Sequence, residues 1–335
     1  MPCQANVGGT RRQTVVGFSS LATLNEMAWN LCDRLEADAP SLRVLVSKSA
    51  AGTRLIDCGL HERGGLEAGR RLAEICLAGL GHVEIGAGDP AIFRGPAVTV
   101  RTDQPVAACM AAQYAGWQIA AEGYFAMGSG PMRAAAGKEP LFERIGHRER
   151  PPVAVGVLEA TEFPPEPLQC DLALRAGVEP DRLTLLAAPT ASLAGTVQVV
   201  ARSVETALHK LDELGFDLAR VVSGLGTAPL PPVAHDQLTA LGRTNDAILY
   251  GGEVTLWVDA TDAELAALGP RVPSSASADH GQPFATIFAR YEHDFYRIDP
   301  QLFSPAVIRF VNLATGRTCQ YGHTLPRVLH ESFEA

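Results

Sequence analysis

Charge is scarce in this 335-residue chain: Asp, Glu, Lys and Arg make up 19% of it, where about a quarter is usual. So thin a charged coat predicts that much surface is covered, by domain packing or by oligomerisation. The basic residues are the scarcer sign, and the formal net charge is −9. That balance argues against nucleic acid or an anionic membrane as a partner and fits a cationic small substrate. The seven cysteines are odd in number and never form a C-x-x-C, which argues against a disulfide framework or zinc cluster and for a reducing cytosol. The opening residues, MPCQANVGGTRRQ, lack the apolar run of a signal peptide. There is no H-x-H, no H-E-x-x-H, no carboxylate cluster at metal-ligand spacing and no G-x-S-x-G. Metal-dependent and covalent mechanisms therefore have no support, and no metal or cofactor is expected. Long apolar runs are missing too. Leu183 to Ala201 carries no charge, yet Thr184, Pro189, Thr190, Ser192, Thr196 and Gln198 divide it into a strand and a helix start, with no membrane span.

What is present is a large core. Apolar residues make up 47%, and the length predicts two domains. The patterning is mixed α/β: a helix over 20–38, a hairpin turning at Ala51-Gly52, a helix after Gly64-Gly65, and a strand over 97–101. Residues 107–120, rich in Ala and Gly, read as a tight helix. Strands follow at 153–158, 183–187, 219–223 and 254–258, and a second hairpin turns at Thr315-Gly316. The provisional cut puts residues 1–95 with 300–335 in one domain and 96–299 in the other.

The best-specified stretch runs from Leu183 to Pro232. Val197, Val200, Val204, Leu208 and Leu211 form one apolar stripe of a long helix, capped by Ser192 or Thr190 and ended at Gly215. Gln198, Arg202, Glu205 and His209 form a second stripe, away from the first. Taken alone, Arg202 and Glu205 read as a solvated i,i+3 ion pair contributing about 0.2–0.5 kcal/mol. The uncharged turns on either side, PTASLAG and SGLGTAPLPP, point instead to the lining of a cleft.

Three further segments are candidates for ligand contact. Gly128, Ser129 and Gly130 precede a short helix carrying Arg133 and Lys138, an arrangement able to hold an anion, though not a Walker A loop. GLGTAP reads as a loop with G-x-G but no third glycine, too weak for a dinucleotide fold. Arg243, Thr244, Asn245 and Asp246 read as a polar turn, and Glu253 follows a Gly-Gly pair. One alternative function is a phosphate-recognising transferase using Gly128–Lys138; another is a non-catalytic binding or carrier protein.

The segments TDQPVAACMAAQYAGWQIA, FAMGSGPMRAAAGKEPLFERIG, APTASLAGTVQVVARSVETALHKLDELGFDL, GTAPLPPVA and GRTNDAILYGGEVTLWV together resemble methenyltetrahydromethanopterin cyclohydrolases, strongly over about residues 97–313. The resemblance implies a cytoplasmic homotrimer of two-domain α/β chains with the active site in the interdomain cleft. It also implies reversible hydrolysis of the 5,10-methenyl bridge to the N5-formyl compound, with no cofactor beyond the pterin substrate. Arg202 and Glu205 match the family's Arg and Glu on one helix, Glu205 being the water-activating base. Gly128, Ser129, Arg133, Pro189, Thr190, Ser192, Gly224, Thr227, Arg243, Asn245 and Glu253 would then shape the pterin pocket.

Overall fold

A computed structural model describes residues 22–114 and 116–334; the MPCQANVGGTRRQ segment, Cys3 and the start of the first expected helix lie outside them. Two six-stranded mixed sheets are wrapped by helices. The first runs β1 (Leu45–Lys48), β2 (Arg54–Asp57), β8 (Leu183–Ala188), β7 (Ala154–Glu159), β6 (Tyr124–Ser129), β5 (Trp117–Ala121) in spatial order. β2, β8 and β7 are parallel. Their side chains face helices on both sides, and β8 is buried at every position, as such strands require. The second sheet runs β12 (Thr318–Gly322), β11 (Val307–Asn312), β10 (Glu253–Val258), β9 (Val221–Pro229), β4 (Pro96–Thr102), β3 (His82–Ala87).

The sheets do not divide the chain at residue 95. β3 pairs with β4 across that position, while β5–β8 join β1 and β2. The C-terminal hairpin extends the second sheet, where β11 pairs with β10.

Both expected hairpins form. The first helix, Leu24–Ala37, starts on a capping box in which Thr23 and Glu26 satisfy each other's backbone N–H groups. Three local readings are corrected. Val106–Gln113 is a π-helix followed by a strand, not one long helix. GLGTAP is the body of β9, not a loop. Its glycines serve packing: a Cβ at Gly226 would stand 2.4 Å from Ser203 Oγ, and one at Gly224 would stand 2.8 Å from Val204 Cγ1. They let the Ser203–Glu213 helix lie close against the sheet. Residues 243–246 are not a turn but the middle of the Gln237–Gly251 helix.

The central helix also differs from expectation. It is two helices, Leu193–Val200 and Ser203–Glu213, broken at Ala201-Arg202. Ser192 is the cap, accepting from Gly195 N–H, and Gly215 follows the C-terminus in the left-handed region at φ 80°. The five stripe residues are wholly buried, as expected. Gln198, Arg202 and Glu205 are buried too and His209 is half-buried, so the second stripe is not a solvated face.

Candidate active site

The break at 201–202 builds the site. In an unbroken helix the Ala201 carbonyl would accept from the N–H four residues on. Here it accepts from Gln113 Nε2 at 3.1 Å. The Gln113 carbonyl in turn accepts from Arg202 Nη1 at 2.7 Å. This reciprocal pair ties the end of the π-helix to the break. It also leaves Arg202 at the C-terminal end of one helix and Glu205 in the first turn of the next. Arg202 is also the N-cap of the second helix, so the helix dipole favours only the anion at Glu205.

Arg202 Nη2 completes the grip, donating to Ser129 Oγ and to Glu159 Oε1, each at 3.0 Å. Ser129 ends β6, and Glu159 ends β7 beside Ala188 of β8 and Met127 of β6. The guanidinium therefore sits at the carboxyl edge of the parallel strands, where open α/β sheets bind ligands. The Pro189–Ser192 turn leaves β8 at the same edge. There Pro189 O accepts from Ser192 N and Oγ, and Thr190 O accepts from Thr196 Oγ1.

Burial disfavours the Arg202 cation, but the negative groups around it, led by Glu159 and including Glu205, outweigh this and hold it charged. Around Glu205 the other ionisable groups are kept neutral. Burial, then the Glu205 charge, pushes the Tyr114 phenol up to about 12 and the Cys109 thiol well above its usual range. Burial likewise raises Cys76, whose sulfur lies 3.4 Å from Ser129 Oγ. The site thus sets two carboxylates, Glu205 and Glu159, about a fixed cation, with no thiolate or phenolate beside them. Among the described residues no group of three or more His, Cys, Asp or Glu is placed to hold a metal ion, and no helix is long and apolar enough to cross a membrane.

Of the other residues singled out in the sequence, Ser129 joins Arg202 directly, and Pro189, Thr190 and Ser192 border the same strand edge. Gly128 packs against Ile119. Arg133 is buried, paired with Glu139 and bonded to the Tyr114 carbonyl, with its guanidinium 4.5 Å over the Tyr114 ring. Its charge already has a partner, which weakens the reading of Gly128–Lys138 as an anion site. Thr227 bonds Thr99 across β9 and β4 at 3.0 Å. Arg243 donates to the carbonyls of Ser332 and Pro232, Asn245 to that of Leu241. Glu253 opens β10, 3.9 Å from Arg309. None of these four bonds into the Arg202 cluster. Gly224 lines a different feature, an open groove of about 680 Å³ with Leu80, Arg101 and Trp257, which neither Arg202 nor Glu205 reaches. Sequence reading missed Glu159 and Gln113. The available signal for Glu159 was a lone acid ending the apolar strand AVGVLE; Gln113 carried none.

A sequence model of the cyclohydrolase (MCH) family matches residues 23–333. The chain belongs to the methenyltetrahydromethanopterin cyclohydrolase family. It is 48% identical over 318 residues to the enzyme of that name from Methylobacterium organophilum, covering 94% of this chain and 98% of the relative. The one from Rhodopirellula baltica is 49% identical over 289 residues, 84% and 86% of the two chains. The one from Methanosarcina barkeri is 39% identical over 316 residues, 93% and 98%. The family match thus includes every strand described above.

Proposed function

We propose that this chain catalyses the reversible hydrolysis of 5,10-methenyltetrahydromethanopterin to the N5-formyl compound in one-carbon metabolism, with Glu205 activating the water. The observation that carries this reading is a buried carboxylate in the first turn of a helix, beside a buried guanidinium fixed by three partners, in a chain of this family. The methenyl bridge is an amidinium cation whose carbon is already electrophilic. The reaction needs only a base and an acid. Glu205 takes a proton from water as the oxygen attacks the bridge carbon, giving a neutral carbinol. It returns that proton to N10 as the C–N10 bond breaks, and the hydroxyl proton leaves to solvent as the formyl C=O forms. Substrate cation and water thus become formyl product and one released proton. A negative Glu205 also favours binding of the cation. Arg202 positions the water and Glu205.

No metal or other cofactor takes part in this scheme. Loss of the methenyl compound, followed by its absorbance with purified protein, should proceed in EDTA at the untreated rate. Inactivation by the chelator, reversed by one added metal, would overturn the scheme.

Assembly as a homotrimer in the cytoplasm is part of the same proposal. Its support is the low charged fraction and the exposed apolar side chains of Val222, Leu225 and Leu313 around the open groove. Light scattering at micromolar concentration should return three chain masses; a monomer mass would exclude it.

A further inference from the structure

The proposed hydrolysis releases one proton per turnover beside a carboxylate that is only 6% exposed, and that proton must reach solvent. The ionisable groups around Glu205 are poorly suited to carry it. Arg202 is held charged and has no acceptor. Cys109 and Tyr114 are kept protonated by burial and by Glu205 itself, and Cys76 is raised as well. Glu159 is bonded to Arg202 on the sheet side. His209 closes the stripe that carries Arg202 and Glu205. The geometry points to His209 as a proton relay between Glu205 and solvent, emptying the carboxylate at the end of each hydrolytic turnover. The inference rests on Glu205 being the base.

Glu205 and His209 are four residues apart in the unbroken Ser203–Glu213 helix, so their Cβ atoms stand about 5–6 Å apart on one face. Helical side chains lean toward the N-terminus, which brings the imidazole back over the turn that carries Glu205. A carboxylate and an imidazole so placed exchange a proton directly or across one water. Exposure rises along the same line: the His209 side chain is 28% exposed and that of Glu213, the next residue on the face, 31%. His209 Nε2 stands 3.6 Å from Glu213 Oε1, at the solvent end. Tyr114, whose phenol feels the Glu205 charge, lies alongside with its ring centroid 5.1 Å from that of His209. The imidazole is thereby held between the buried carboxylate and the surface.

Burial lowers the proton affinity of this imidazole, against the upward pull of Glu213 and Asp212 and with Lys210 and Arg133 acting in the same sense as burial. Of those groups Lys210 is bonded to Gln301, Arg133 is paired with Glu139, and Asp212 with Arg144. His209 is thus uncharged at neutral pH and able to accept, and histidine is the side chain that gains and loses a proton most readily there. Glu205, having returned its first proton to N10, is a carboxylate again and takes the carbinol hydroxyl proton as the C=O bond forms. His209 accepts that proton at Nδ1, becomes an imidazolium beside Glu213, and gives up the proton on Nε2 to water. Rotation of the ring or exchange with solvent resets the tautomer. Glu205 is left ionised for the next substrate cation, and the reverse reaction runs the same relay inward.

The test is His209→Ala, assayed in the hydrolytic direction at neutral pH over a range of buffer concentrations. In dilute buffer kcat should fall by about tenfold, less than the loss of a general base itself gives, while KM holds. Added imidazole, or more concentrated buffer, should restore most of the lost rate, because a small diffusible base does the work of the deleted ring. The unmodified enzyme should respond little to either. A merely structural role would lower Tm and leave a deficit that no buffer repairs. An undiminished kcat in dilute buffer, or a deficit that imidazole does not relieve, would overturn the inference. Should the alanine variant not fold, His209→Gln keeps a polar side chain of similar size, and the same two results decide. Glu205→Gln separates the two failures. If that variant turns over normally, the base assignment fails and the relay with it; if it is dead while His209→Ala matches the unmodified enzyme in dilute buffer, only the relay fails.

Discussion

Glu205→Gln is expected to lower kcat by about 10²–10⁴-fold, the range typical of a lost general acid–base group. Glutamine keeps the shape and one hydrogen-bonding oxygen but cannot accept the water's proton. KM should rise, since the contact between a carboxylate and the cationic bridge is also lost. The burial of Glu205 changes what is expected for stability. A solvated ion pair would contribute under about 1 kcal/mol. Here the residue is 6% exposed, in a helix first turn next to a buried cation. Replacing it leaves Arg202 with Glu159 as its ionic partner, so the fold should survive with a modest loss in Tm. The measurement is a steady-state assay in both directions together with a melting curve. A folded Glu205→Gln enzyme with near-normal turnover would remove Glu205 from the mechanism, whatever the family likeness suggests.

The local signals that sequence reading used were those with short reach. Thr23 and Glu26 form a capping box within four residues, Ala51-Gly52 turns a hairpin, and the valine stripe buries one helix face. What it misread depended on distant partners. The glycines of SGLGTAP look like a loop until Ser203 and Val204 are seen lying against them. Arg243 to Asp246 look like a turn because they are polar. They are tolerated mid-helix because Arg243 caps carbonyls of Pro232 and Ser332, and Asp246 accepts from Phe284 N–H. Period alone put Arg202 and Glu205 on one continuous stripe. The break at Ala201-Arg202 follows from Gln113, 88 residues before Ala201, taking the Ala201 carbonyl. The identity of the two residues was legible; their burial, and the third charge at Glu159, belong to tertiary structure.

Arg202→Ala should be damaging in two separable ways. Removing one partner from a buried ion pair leaves the other uncompensated, which costs about 3–5 kcal/mol. Here Glu159 loses its 3.0 Å partner, Glu205 loses its nearby cation, and Ser129 Oγ and the Gln113 carbonyl each lose a donor. With no guanidinium between them, the two carboxylates should hold protons more tightly in the folded variant than when unfolded. A raised folded-state proton affinity gives stability that is present at low pH and lost as pH rises. The variant should therefore melt lower at pH 8 than at pH 5.5, and by a wider gap than the unmodified enzyme. Turnover should fall by about 10²–10³-fold, the usual loss when a fixed electrostatic group is withdrawn. Arg202→Lys separates the two effects. Its ammonium retains the charge and should recover most of the stability. One nitrogen cannot serve Gln113 on one side while Ser129 and Glu159 are held on the other, so turnover should stay low. Combined with Glu205→Gln, the Arg202→Ala loss should be far from additive, because the pair acts as a unit. An Arg202→Lys enzyme with full activity would show that charge alone suffices and that the three-way grip on the guanidinium has no part in the chemistry.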